Sequence, residues 1–287
     1  MTSIIGFAVV PICVIGGFLI AGGSVGTLLQ PAEFIVIGGA ALGGVLIATP
    51  IATLKQLMGE IIGIFKGDMG PDRETYLQVL LALNELFQIA RKDGIIALES
   101  HVNEPEKSKV FEKYPKILHN HHAIAYICDT IKLFLAGSVP AHEIEMLMDA
   151  EIDSHHQEAS IPSSIVAKVA DSLPGLGIVA AVLGIIITMG SIDGDPAEVG
   201  HHVAAALVGT FLGVLLAYGF FSPMAGNLEN RVRNEGQLLH VIKAGIAAFA
   251  KGMAPSVAVE FARRSIFQAD RPSFDETEKM LKDAKKK

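Results

Sequence analysis

Leu173 to Ile192, LPGLGIVAAVLGIIITMGSI, and Val203 to Phe221, VAAALVGTFLGVLLAYGFF, are uncharged apolar runs of 20 and 19 residues. A hydrocarbon core about 30 Å thick takes about 20 helical residues, so each run can span a bilayer. Two more uncharged runs, of 18 residues each, lie towards the N-terminus at Ile4–Ala21 and Phe34–Ile51. Over all 287 residues only 18% are charged and the mean hydropathy is +0.45, against about 25% charge in ordinary soluble chains. All 23 Lys and Arg fall within 55–168 or 231–287. That partition excludes a wholly soluble enzyme, a disordered chain and a nucleic-acid binder with a basic face. A cleaved signal peptide is the alternative for the first run, but it lacks a basic leading segment and a clear cleavage site.

The connections fix an orientation. Residues 22–33 and 193–202 carry Glu33, Asp193, Asp195 and Glu198 and no Lys or Arg, whereas Lys55, Lys66, Lys168, Arg231 and Arg233 flank the opposite ends. Basic flanks stay in the cytoplasm. The reading is therefore an all-α integral membrane protein with transmembrane helices one and two in 1–54, a helical cytoplasmic insertion at 55–168, helices three and four in 169–225, and a cytoplasmic C-terminal helix and tail at 226–287. Both termini lie inside. Cys13 and Cys128 then sit in different compartments, so no disulfide framework exists.

Within the insertion, Pro71 suits a first helical turn, with Asp72 and Glu74 at the positive end of the helix dipole. Tyr76, Leu77, Leu80, Leu83, Leu86, Phe87 and Ala90 recur at helical spacing, and Asp93-Gly94 is a stop. Further helices are expected over 105–114, 121–136 and 140–168, and one long helix over 227–268, ending in a frayed Lys285–Lys287. The insertion has 11 basic and 17 acidic residues, net −6, and the tail 12 and 8, net +4. The opposite signs are either solvated faces or two pieces that pack together and offer a charged surface to a protein partner.

Small residues form stripes in the last two spans. Gly177, Ala181, Gly184 and Thr188 share a face of span three, and Ala206, Thr210, Gly213 and Ala217 a face of span four. Small side chains let helices approach closely in lipid. Each stripe alone is ordinary packing; two, on the spans that carry Pro174 and Pro223 at their basic-flanked ends, read as a wall against another helix. None of the four runs contains Asp, Glu, Lys, Arg or His, and Asp171 stands only at the entrance of the third. Ion-handling membrane proteins hold an ionisable group in the membrane, so a carboxylate from a partner helix is implied.

The segments DSLPGLGIVAAVLG (Asp171 to Gly184), AAALVGTFLGVLLAYGFFSPMA (Ala204 to Ala225), GGSVGTLLQPAEFIVIGGAALGG (Gly22 to Gly44) and ARKDGIIALESHV (Ala90 to Val102) together resemble the MotA family of bacterial flagellar stator subunits, in the MotA/TolQ/ExbB proton channel superfamily. The resemblance covers nearly the whole chain. It implies a pentameric ring in the bacterial inner membrane around a MotB dimer, which supplies the ion-binding aspartate and anchors to peptidoglycan. It also implies torque on the rotor protein FliG, and no enzymatic activity. Pro174 and Pro223 match the family's functional prolines, Thr210 its channel threonine, and Arg91 and Glu99 its rotor-contacting charges. Ala181 and Gly209 stand where sodium-driven relatives are rich in threonine. Thr188 and Thr210 leave few oxygens for a bare Na⁺, so H⁺ is the expected transported ion, and no cofactor or metal is expected.

Three further readings compete with this one. A TolQ or ExbB type energiser has three spans rather than four. A membrane metalloenzyme would use the ten histidines, yet the doublets His121-His122, His155-His156 and His201-His202 point adjacent rings about 100° apart, unlike an i, i+4 chelating face. A stand-alone channel needs polar pore-lining faces that these spans lack. No nucleotide-binding or nucleophile-elbow motif occurs.

Overall fold

A computed structural model describes residues 2–67, 70–137, 139–190, 192 and 195–284. Among these the chain is helical throughout, without strands. It runs α1 (Thr2–Ile20), α2 (Val25–Leu28), α3 (Pro31–Ala48), α4 (Ile51–Lys66), α5 (Arg73–Asp93), α6 (Glu99–Asn103) and α7 (Pro115–Leu118). It continues through α8 (His121–Leu135), α9 (Ala141–Ala159), α10 (Ile161–Gly190), α11 (Pro196–Leu216), α12 (Ser222–Ala250), α13 (Pro255–Ser265) and α14 (Phe274–Ala284). Four helical stretches are long and apolar enough to cross a membrane. The chain forms two compact units, Met1–Asp68 with Ala159–Asn230 and Met69–Glu158 with Arg231–Lys287.

In the first, membrane unit α10 and α11 pack along their length, with α3 against both. The contact is made where side chains are missing. A methyl on Gly213 would lie 2.6 Å from the Leu173 carbonyl oxygen and 2.9 Å from Gly177 Cα. One on Gly177 would lie 2.8 Å from the Gly209 carbonyl oxygen. Backbone against backbone leaves no room for a Cβ, which is how small residues bind helices together in lipid. Pro223 shapes the end of span four. Lacking an N–H, it deprives the Gly219 carbonyl of its usual donor, and the chain widens into a π-helical turn over Ala217–Phe221 between α11 and α12. Pro174 lies inside α10, which runs unbroken through it.

The second unit is built on large apolar side chains. Tyr76, Leu80, Leu83, Leu86 and Phe87 on one face of α5 are buried against Ile127 and Ile131 of α8 and Ile242 and Ile246 of α12. Phe87 stacks on Phe249 with ring centroids 4.4 Å apart. The insertion and tail segments therefore pack on each other, with Lys251 Nζ 2.6 Å from Glu145 Oε2 and Lys243 bridging to Asp149 across the rim.

Several local expectations are corrected. The cap of α5 is Asp72, whose side chain accepts the Thr75 N–H at 2.9 Å, so Pro71 precedes the helix instead of opening it. Residues 105–114 form two short 3₁₀ turns, Pro105–Lys107 and Phe111–Lys113, because prolines at 105 and 115 interrupt the ladder. The expected 140–168 helix breaks at Ser160, after which α10 starts, with Pro162 in its first turn. The long tail helix stops at Ala250, since Gly252 adopts φ +85° and Pro255 opens α13. Lys285–Lys287 lie outside the described residues.

Candidate functional site

The membrane positions divide by what they contact, and Gly177 is already placed between the helices. Gly184, Thr188, Ala206, Gly213 and Ala217 belong to the helix contact itself. A methyl on Gly184 would meet Ala206 Cβ at 2.7 Å, Ala217 has no exposed surface, and the Thr188 hydroxyl donates to the Gly184 carbonyl at 2.8 Å. The two stripes therefore face each other through these five residues. Backbone contact between spans three and four takes up these five residues together with Gly177 and Gly209. Pro174, Ala181 and Thr210 are half-buried, and Pro223 is exposed. These four remain on the accessible surface of the unit, and the Thr210 hydroxyl makes no hydrogen bond among the described residues.

Glu33 joins this unit although it lies outside the apolar runs of the sequence. It is 7% exposed, and its Oε2 is enclosed with no hydrogen-bond partner. The carboxylate lies against Gly209, where an added methyl would be 2.5 Å from Oε2 and 3.1 Å from both Ala180 Cβ and Ala181 N. Pro31 explains the placement. It opens α3 three residues before the apolar run, which carries Glu33 into the first helical turn. The run of uncharged residues beginning at Phe34 hides this, whereas the Pro-x-Glu spacing is the signal that could have found it.

Arg91 and Glu99 lie on the second unit. Arg91 is in the last turn of α5 and Glu99 in the first turn of α6, the ends where helix dipoles favour these charges. Gly94 at φ +87° turns the chain between them, and Leu98, 2% exposed, anchors the turn in the core. Both charges are exposed, as is Ile96 at 75%, and neither forms an ion pair among the described residues. Arg91 also lines a cavity of about 470 Å³ with Asn84, Gln88, Lys92 and Lys282. Unpaired charge of both signs beside an exposed isoleucine suits a protein contact.

Of the histidine doublets, His122 of α8 and His155 of α9 approach each other with ring centroids 4.8 Å apart. Burial, then the neighbouring His122, holds the His155 imidazole below its ordinary range. Among the described residues no three His, Cys, Asp or Glu side chains gather into a metal-holding group. Cys13 and Cys128 are both free.

Known proteins match the chain over nearly its whole length. The family profile "Motility protein A N-terminal" matches residues 4–94, and that of the "MotA/TolQ/ExbB proton channel family" matches 121–240. Motility protein A of Escherichia coli strain K12 is 38% identical over 285 residues, covering 99% of this chain and 96% of its own. Chemotaxis protein LafT of Vibrio parahaemolyticus is 37% identical over 98% of both. Among solved structures, the flagellar MotAB stator complex from Bacillus subtilis superposes with a TM-score of 0.77 at 24% identity, covering 96% of this chain and 100% of that one. The MotAB structure from C. jejuni gives 0.77 at 21%, covering 95% and 98%. These two share the fold.

Proposed function

The chain belongs to the motility protein A family of the MotA/TolQ/ExbB proton channel proteins, and from that premise we propose that it is a stator subunit of a bacterial flagellar motor. The observation that carries this is the likeness to Escherichia coli motility protein A at 38% identity across 99% of the chain. The N-terminal profile over 4–94 favours this reading over a TolQ or ExbB type energiser. The subunit sits in the inner membrane with both termini cytoplasmic, which the basic flanks support.

In this reading the chain catalyses no covalent chemistry. Five copies surround a MotB dimer whose aspartate binds the transported proton, and FliG takes the torque. Pro174, Ala181 and Thr210, accessible beside the closed helix contact, are the face that meets the partner helix. The threonine hydroxyl is free to hydrogen-bond a passing proton carrier. Each charge crossing 150 mV releases roughly 3.5 kcal/mol, from about 2.3 per 100 mV. That is comparable to the gap between two packings of a bistable helix pair, so one proton biases one step. Arg91 and Glu99, exposed and unpaired, would engage opposite charges on the rotor.

Expression with its MotB partner in a strain lacking its own motility protein A tests the reading. Restored swimming that collapses with a protonophore and persists without sodium is expected; immotile cells containing assembled complex would overturn it. Thr210→Val and Ala181→Leu should lower proton flux and torque together. Arg91→Glu with Glu99→Lys should lower torque while leaving flux in place.

A further inference from the structure

Glu33 stands out because its own helix and its neighbours place it differently. It lies in the first turn of α3, yet its Oε2 occupies the place a methyl on Gly209 of α11 would take, and that same methyl would meet Ala180 and Ala181 of α10. Gly209 is six residues into the run that starts at Val203, and Ala181 is nine residues before the end of α10 at Gly190. At 1.5 Å per residue Gly209 is about 9 Å below the start of its apolar run and Ala181 about 14 Å below the end of α10. The short helix α2 packs on α11 and brings the preceding connection down with it. An acid from the first turn of α3 thus reaches well into the apolar unit.

It is enclosed beside Gly209, at a helix contact lined by glycine and alanine. No described side chain donates to either carboxylate oxygen. A carboxylate taken out of water costs several kcal/mol unless it is paired, hydrogen-bonded or neutralised. Here no cation or donor is supplied by the unit, and one carboxyl with no second side-chain oxygen beside it is a poor cage for Na⁺. A proton needs nothing more. A methyl at Gly209 would overlap Oε2, so a larger residue there displaces the carboxylate.

We propose that Glu33 is a proton-binding residue of the chain's own membrane unit, a carrying point between the outer aqueous phase and the partner's aspartate. The step balances simply: the carboxylate takes a proton from hydronium, releasing water, and later passes that proton to the next acceptor without any bond to carbon changing. The inference rests on the stator reading, and it adds an acid of the chain's own to the carboxylate expected from the partner helix. Each copy in a ring then brings one acid of its own.

The test uses the purified complex with its partner in liposomes under an imposed pH gradient. Glu33→Gln is expected to lower proton flux at least tenfold, and Glu33→Asp to keep most of it. Flux in Glu33→Gln within a factor of two of the unaltered complex overturns the proposal. An acid-minus-base infrared difference spectrum of the same complex should show the carbonyl stretch of a protonated carboxyl that Glu33→Gln abolishes. If Glu33→Gln fails to assemble, Glu33→Asp decides: a shifted carbonyl band supports the assignment, and an unmoved one overturns it. An unaltered complex that carries no protons at all overturns the stator reading, and the route with it. Normal flux with an indifferent Glu33→Gln removes Glu33 alone.

Discussion

In the membrane unit the tightest helix contact is made by Gly177, Gly209 and Gly213, where backbones touch. In the second unit the corresponding contact is made by Leu80, Leu83, Leu86 and Phe87, where backbones are held apart by large side chains. The solvent explains the contrast. In water, burying apolar area stabilises at about 25 cal/mol per Å², so bulk is favoured. In lipid that term is absent between helices, and dispersion across the closest approach takes over. Adding a methyl should therefore be the severe change in one unit, and removing methyls in the other.

The sharpest way to break this contrast is Gly213→Ala. The new methyl would meet backbone on two sides, at Leu173 and Gly177, and neither can rotate away. Overpacking of this kind costs about 1–3 kcal/mol even where side chains can yield. Loss of swimming and depleted membrane levels of the subunit are expected. Gly175→Ala, with nothing within 4 Å of its added methyl, should swim normally. Equal behaviour of the two variants would remove the backbone-contact account.

The converse change is Leu83→Ala in the second unit. Leu83 has no exposed surface, and its Cδ1 packs over Gly245. The expected cost is about 2–5 kcal/mol. Thermal unfolding of the full chain in detergent should show a lowered first transition while the apolar helices keep their helicity. A single transition lowered as a whole would mean that the two units unfold together.

These contrasts also mark what the sequence makes legible. The four spans are visible because a bilayer requires long uncharged runs and a water-soluble core rarely supplies them. The α5 face is visible because seven apolar residues keep helical spacing. The breaks at Ser160 and Gly252 are not, since a glycine or serine within an otherwise periodic stretch ends a helix only when neighbouring packing favours the turn. Among the site residues, the membership of the stripes is legible from spacing, but their direction is not. Spacing says that Gly177 and Gly184 share a face; it does not say whether that face meets span four or a different chain. Glu33 is hidden for a related reason. Its depth depends on how far α3 is offset from α10 and α11, a tertiary quantity that no single run of residues encodes.

A third change probes the charged rim of the second unit through pH. Glu260 accepts from Arg263 and Arg264 at 2.7 Å each, and Arg263 also donates to the Pro272 carbonyl. The hydrogen bonds from Arg263 hold the Glu260 carboxyl down to about 2, against an ordinary 4.5. A depressed folded-state value means that the stabilisation is present above the unfolded value and is lost as pH falls through the folded one. Glu260→Gln should therefore destabilise by about 1–2 kcal/mol at neutral pH, discounted for partial exposure. The deficit should shrink between about pH 4.5 and pH 2. Denaturant titrations at pH 7 and pH 3 would show it, and a deficit constant across that window would place the effect in packing.

The smallest effect belongs to the bridges that join the oppositely charged insertion and tail. Lys251 and Glu145 meet at 2.6 Å, but their side chains are 48% and 33% exposed. Ordering two long side chains in high dielectric offsets most of the Coulomb gain, so such pairs contribute about 0–1 kcal/mol. Lys251→Ala should thus change stability by less than about 1 kcal/mol, and 0.5 M salt should erase the difference. The comparison with Leu83→Ala is then informative about net charge. If the −6 insertion and the +4 tail were held together chiefly by attraction, salt would loosen the unaltered protein as much as losing Leu83 does. If Phe87 on Phe249 and the leucine face carry the contact, salt will leave the transition of the unaltered protein almost where it was. A double-mutant cycle on Lys251 and Glu145 separates the pair's own coupling from the field of the surrounding charges. The burial of the leucine face predicts a coupling near zero.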